Sequence, residues 1–105
     1  MDNPIYQKSF HFAVRIVNLC KYLQTEQKEF VLSKQILRSG TSIGSNVAEA
    51  QQAQSKPDFT SKLNIALKEA AETDYWLRLL HATDYLSKTQ FDSMIADCDE
   101  IESLL

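Results

Sequence analysis

Apolar residues recur every three or four positions along almost the whole chain, the spacing of helices that bury one side. In the first segment Tyr6, Phe10, Ala13, Val17 and Cys20 form one row, and Phe12, Ile16, Leu19 and Leu23 form a second. Two rows make a wider face than one seam of a bundle needs. Pro4 suits the helix start, where its missing amide hydrogen does no harm. A second helix is expected from about Glu26, after a capping Thr25, to about Gln54. At about 100° per residue, its Leu32, Ile36, Ile43, Val47 and Ala50 share one narrow arc. Gly40 and Gly44 interrupt it, each at roughly 1 kcal/mol relative to Ala. The apolar phase holds across both, which favours one continuous helix over a break at Gly40. The glycines then serve the close approach of a neighbour.

Ser55-Lys56-Pro57-Asp58 punctuates the chain. The third helix carries the cleanest heptad: Phe59, Leu63, Ala66, Ala70, Thr73, Leu77 and Leu80. Its small middle layer permits close packing, and the small layer of the second helix is expected to face it. Ser87-Lys88-Thr89-Gln90 has the form of a capping box and opens a fourth helix, with Phe91, Met94, Ile95, Cys98, Ile101 and Leu105 on its apolar face. Short connections favour antiparallel neighbours. The expected fold is all-α: a single domain over residues 1–105, folded as an antiparallel up-down-up-down four-helix bundle.

Two glycines and two prolines in 105 residues leave few turns, against a sheet-rich fold. Cys20 and Cys98 lie within apolar helical patterns, so buried thiols in a reducing compartment are expected rather than a disulfide. Met1-Asp2-Asn3-Pro4 is not the basic start of a secretory signal, and no apolar run approaches a membrane span. The expected location is the cytoplasm. The net charge of -3 does not predict nucleic-acid binding, but the charge is uneven. Residues 1–68 carry nine bases and five acids, whereas residues 69–105 carry two bases and nine acids. A folded domain could thus have a basic and an acidic side, suited to RNA or to a neighbouring subunit of opposite charge, or the imbalance carries no function.

The second helix also holds a polar stripe: Gln35, Arg38, Ser42, Asn46 and Glu49 run beside its apolar arc. Short hydrogen-bonding side chains there, in place of solvated Lys and Glu, point to a helix packed on more than one side. The stripe is either a ligand- or RNA-contacting row or a structural one. In the structural reading Arg38 pairs with Glu49 or Glu72, and Ser42 and Asn46 bond neighbouring helices.

This stripe resembles the signature of four-helix-bundle proteins encoded in intervening sequences of bacterial 23S ribosomal RNA genes. Gln35, Arg38, Ser42, Ile43, Asn46, Val47, Ala48 and Glu49, followed by Ala50, fit its pattern. Phe59, then Ala66, Ala71 and Glu72, fit a weaker second motif, while Glu69-Ala70 departs from a frequent Gly-Ser. The resemblance spans nearly the whole chain. It implies a non-enzymatic homo-oligomer, a pentamer, whose biochemical role is poorly defined. The group is similar in turn to accessory proteins of diversity-generating retroelements. That relation implies an RNA- or protein-binding assembly whose basic surface acts collectively.

Enzyme chemistry finds little support. Neither His11 nor His81 follows a Glu at the spacing of bundle metal sites, and no Cys-x-x-Cys, phosphate loop or nucleophile elbow is present. No metal site and no cofactor are expected. The best enzymatic alternative is a Mg²⁺-dependent nucleotide pyrophosphohydrolase using Glu69 and Glu72 with Asp97 and Glu100, pairs that antiparallel helices would hold at similar height. Solvated helix faces explain the same residues. The bases do not cluster in a motif interleaved with aromatics. Trp76 abuts the core row of the third helix and is the candidate interface anchor. A structural adaptor for another protein is the third reading.

Overall fold

The computed structural model describes residues 3–105. Four helices follow in order: α1 (Pro4–Thr25), α2 (Leu32–Ala50), α3 (Lys56–Ala82) and α4 (Lys88–Leu104). Each packs on its sequence neighbours, and α4 closes the ring of four by returning to α1. The architecture is the expected all-α four-helix bundle, about as wide as two helices and 43 Å long.

The helix starts follow local chemistry. Asn3 Oδ1 accepts the Ile5 amide at 3.0 Å, and Pro4 occupies the first turn. Ser55 caps α3 by accepting the Asp58 amide, and Ser87 and Gln90 form the reciprocal capping box of α4.

The start of α2 differs from expectation. Thr25 is the last residue of α1, and its hydroxyl donates back to the Lys21 carbonyl. The chain then reverses through Lys28, whose φ of 54° is left-handed, so α2 begins only at Leu32. The buried Glu29 side chain supplies the cap. Its carboxylate accepts the Ser33 amide at 2.7 Å and the Val31 amide at 3.3 Å. At the other end α2 stops at Ala50, four residues before Gln54. No glycine marks the reversal, and the run Phe30-Val31-Leu32 continues the apolar density, so the helix looked longer than it is.

The core draws on all four helices. Phe12, Ile16, Leu19 and Leu23 of α1 meet Ile36, Ile43 and Val47 of α2. Ala66, Ala70, Leu77 and Leu80 of α3, with Met94, Cys98 and Ile101 of α4, complete it. Gly40 and Gly44 lie within an unbroken α2 and face α1. A Cβ on Gly40 would sit 2.7 Å from Ile16 Cγ1, and one on Gly44 would sit 3.2 Å from the Ser9 carbonyl oxygen. The small layers thus divide. The glycines bring α1 close, while Ser39 meets α3 through a buried hydrogen bond between its hydroxyl and that of Thr73 at 3.0 Å.

Phe59 leaves the expected core row and is exposed. α3 has 27 residues and α4 has 17, so about ten residues, roughly 15 Å of helix, extend past the α4 partner. Phe59 lies in that extension.

Candidate interaction surface

The second expected row of α1 is buried, whereas the first divides: Cys20 is buried, and Phe10 and Val17 stay exposed beside Val14, which belonged to neither row. Phe12 and Ile16 are fully buried, as is Leu23. Phe10 remains 58% exposed, Val14 44% and Val17 37%. These three line a shallow groove with Ala13, Asn18 and Lys21. Steps of four and three residues align Phe10, Val14 and Val17 along one side of the helix. Helix α1 carries Lys8, Arg15 and Lys21 and no Asp or Glu. Lys8 pairs with Glu100 at 3.3 Å and Arg15 with Asp97 at 2.5 Å, tying α1 to α4.

The polar stripe of α2 lies on another side of the bundle. Arg38 donates to Glu72 at 2.7 Å and to Glu69 at 3.3 Å, bridging α2 to α3. The Trp76 indole N–H donates to the same Glu72 carboxylate at 3.0 Å. These two donors hold the Glu72 carboxyl below its ordinary range, the Trp76 bond being the larger cause, and the Glu72 bond raises Arg38. Ser42 and Asn46 do not reach neighbouring helices. The Ser42 hydroxyl donates to the Arg38 carbonyl at 2.6 Å, and the Asn46 amide donates to the Ser42 carbonyl at 2.8 Å. Short side chains on a helix find these carbonyls one turn back before anything more distant. Glu49 pairs with Lys62 rather than Arg38. Gln35 is exposed.

Trp76 is half-buried and held by Glu72, while the neighbouring Tyr75 meets its ring edge-on and stands 58% exposed. Tyr75 is thus the freer aromatic. Leu67, about two turns earlier, is exposed as well.

The four carboxylates of the hydrolase alternative separate. Glu69 and Glu72 turn toward Arg38 on α2, whereas Asp97 and Glu100 turn toward Arg15 and Lys8 on α1. No three of them gather at metal-ligand distance. A different trio does come together: Asp74, Cys98 and Glu102. Burial and the Glu102 carboxylate push the Cys98 thiol well above its ordinary value, so it stays protonated. Burial, then Asp74 and Asp99, raises Glu102. Arg78 binds Asp74 at 2.6 Å and neutralises part of this charge. Cys20 and Cys98 are both buried free thiols. His81 stacks on Phe91 with ring centroids 4.5 Å apart, and His11 is exposed on α1. Among the described residues no helix is long and apolar enough to cross a membrane.

The residues that sequence reasoning missed are Glu29 and Ser39, and it ranked Trp76 above Tyr75 as an interface aromatic. Glu29 and Ser39 act through the backbone reversal and the α2–α3 contact, which no short motif records. Tyr75 could have been found as an aromatic one step off the α3 heptad.

Fold and surface together define a small four-helix bundle with one completed core and an apolar helix face left outside it. The chain belongs to the 23S rRNA-intervening sequence protein family, whose model matches residues 1–105. It is also similar to a crystal structure of a protein of unknown function from the S23 ribosomal protein family of Bacteroides thetaiotaomicron. The two are 63% identical, the match covers 95% of this chain and 93% of that one, and the TM-score is 0.94. No curated protein matches the chain. Family and relative are of unknown function, and neither is described as an enzyme.

Proposed function

We propose that the protein is a non-enzymatic, cytoplasmic, self-associating bundle, and that the outer face of α1 is where its copies meet. The observation that carries this is the exposed row Phe10, Val14 and Val17. Single exposed apolar residues are ordinary, but three aligned on one helix form a continuous patch of the kind found at interfaces. Covering each fully is worth about 2 kcal/mol in removed apolar surface. The resemblance to the pentameric group sets the expected copy number at five. Light scattering at micromolar concentration tests the reading. A mass near five times the 12.0 kDa chain supports it, and a mass of one chain overturns it.

A second reading, RNA bound by the assembly as a whole, is supported by one group of lysines. Six of the eleven bases are paired with carboxylates in the bundle. Lys21, Lys28 and Lys34 flank the α1–α2 connection, and none has an acidic partner among the described residues. Repeating this end around an oligomer multiplies its charge, as a single chain of net charge -3 does not. Retardation of structured RNA at low salt that is lost as salt rises, and lost in a triple Lys→Gln variant, is the expected result. No retardation at low salt would remove this reading and leave self-association standing.

A further inference from the structure

Resting on the self-association reading, we infer that the contact is heterologous: the Phe10–Val14–Val17 row of one copy packs on a different row, Leu67–Ala71–Tyr75, of the next. Both rows are exposed and aligned by helical spacing. They lie on α1 and α3, the diagonal pair of the bundle, each flanked by α2 and α4. Their lengths match: seven residues separate Phe10 from Val17 and eight separate Leu67 from Tyr75, each about 11 Å of helix rise.

Charge identifies the occupant as a second copy. On one edge of the α3 row Glu69 and Glu72 face Arg38, and on the other Asp74, Asp99 and Glu102 surround Arg78. Five carboxylates against two guanidiniums and the Lys68 ammonium leave this side negative. The α1 row has the opposite sign: α1 contains no acid, Lys8 and Arg15 are balanced by Glu100 and Asp97 of α4, and the row ends at Lys21, which has no acidic partner among the described residues. Two rows of like sign would repel, so α1 on α1 or α3 on α3 is disfavoured, whereas α1 on α3 brings unlike edges together. A contact between unlike faces at opposite corners of one molecule leaves one face of each kind open in any dimer. It therefore continues to further copies and closes as a ring when the rotation allows. In this arrangement Tyr75 is the aromatic anchor, and Trp76 supports it from behind through the Tyr75 ring and Glu72.

The test uses two variants of the full chain, Val14→Lys on the first face and Tyr75→Lys on the second. Each alone is expected to show the mass of one chain by light scattering, with an unchanged helical spectrum. Mixed one to one, they are expected to double in mass and stop there, because each supplies the intact face that the other lacks and the two damaged faces repel. Variants that stay monomeric on mixing would overturn the heterologous pairing, as would either variant alone keeping the wild-type mass. A wild-type protein that is itself monomeric would instead overturn the self-association on which this rests. Should either Lys variant lose its helical spectrum, Phe10→Ser and Leu67→Ser repeat the experiment with smaller changes at the same two faces.

Discussion

The two sides of α1 have similar composition and opposite surroundings. The inner row, Phe12, Ile16, Leu19 and Leu23, is covered by the other helices, and the outer row, Phe10, Val14 and Val17, stays 37–58% exposed. Periodicity placed Phe10 and Val17 apart from the inner row, but it grouped them with the buried Cys20, left out Val14, and could not say which row the monomer would use. Two flanking helices supply enough surface for one row only, because α1 lies against α2 and α4 and leaves its remaining side open. An apolar row beyond what the bundle can bury is the feature on which the proposed assembly rests.

The largest effect that separates the two rows comes from matched truncations. Phe12→Ala is expected to destabilise the chain by about 3–5 kcal/mol, since it empties a fully buried site. Phe10→Ala, measured by urea unfolding in dilute solution where copies are separate, is expected to change stability by no more than about 0.5 kcal/mol. Comparable losses in both would mean that the outer row serves the monomer. Next in size is the helix contact behind the inner row. Gly40→Ala places a Cβ 2.7 Å from Ile16, and about 1–3 kcal/mol of strain is expected in the same unfolding assay. A neutral outcome would show that α1 and α2 separate without penalty. Glu29→Ala removes the cap that starts α2 and is expected to cost about 1 kcal/mol, with a lower melting temperature that Glu29→Asp restores in part.

The smallest effects belong to the polar stripe. Arg38→Ala breaks an exposed pairing with Glu69 and Glu72, so a drop of no more than about 1 kcal/mol is expected. Its pH dependence has a definite sign. The Glu72 carboxyl is held low in the folded chain, so its stabilising share is present above the ordinary carboxylate value and is lost as pH falls through the folded value. Melting curves taken from pH 6 down to pH 3 should therefore show a smaller acid-side decline in Glu72→Gln than in the wild type. An identical decline would show that the Arg38–Glu72–Trp76 contact is not coupled to folding.

Much of the fold was legible in the sequence, and the reasons differ by element. The capping box at Ser87 and Gln90 is a local code, and it formed as expected. The unbroken phase of α2 across two glycines was also readable, because a real break would have shifted Leu32 and Val47 out of one arc. The start of α2 was not, since it depends on a left-handed Lys28 and a buried Glu29 rather than on Gly or Pro. For the candidate surface, the excess of apolar positions on α1 was visible, whereas the exposed row on α3 was not. Leu67 and Tyr75 are separated by eight residues and interleaved with a stronger heptad, so only their exposure in the folded chain sets them apart. The stripe at Arg38, Ser42 and Asn46 carried the family signature, yet Ser42 and Asn46 satisfy their own helix, which the choice of residues alone does not reveal.

The most direct measurement is hydroxyl-radical footprinting of the wild-type protein, read at three phenylalanines of the same chain. Phe12 is buried in the monomer and Phe30 is an exposed loop residue, so they set the two limits. At micromolar concentration Phe10 should be protected nearly as well as Phe12, and on dilution its reactivity should rise toward that of Phe30. A Phe10 that reacts like Phe30 at every concentration would contradict the claim that the outer row of α1 is covered by another copy.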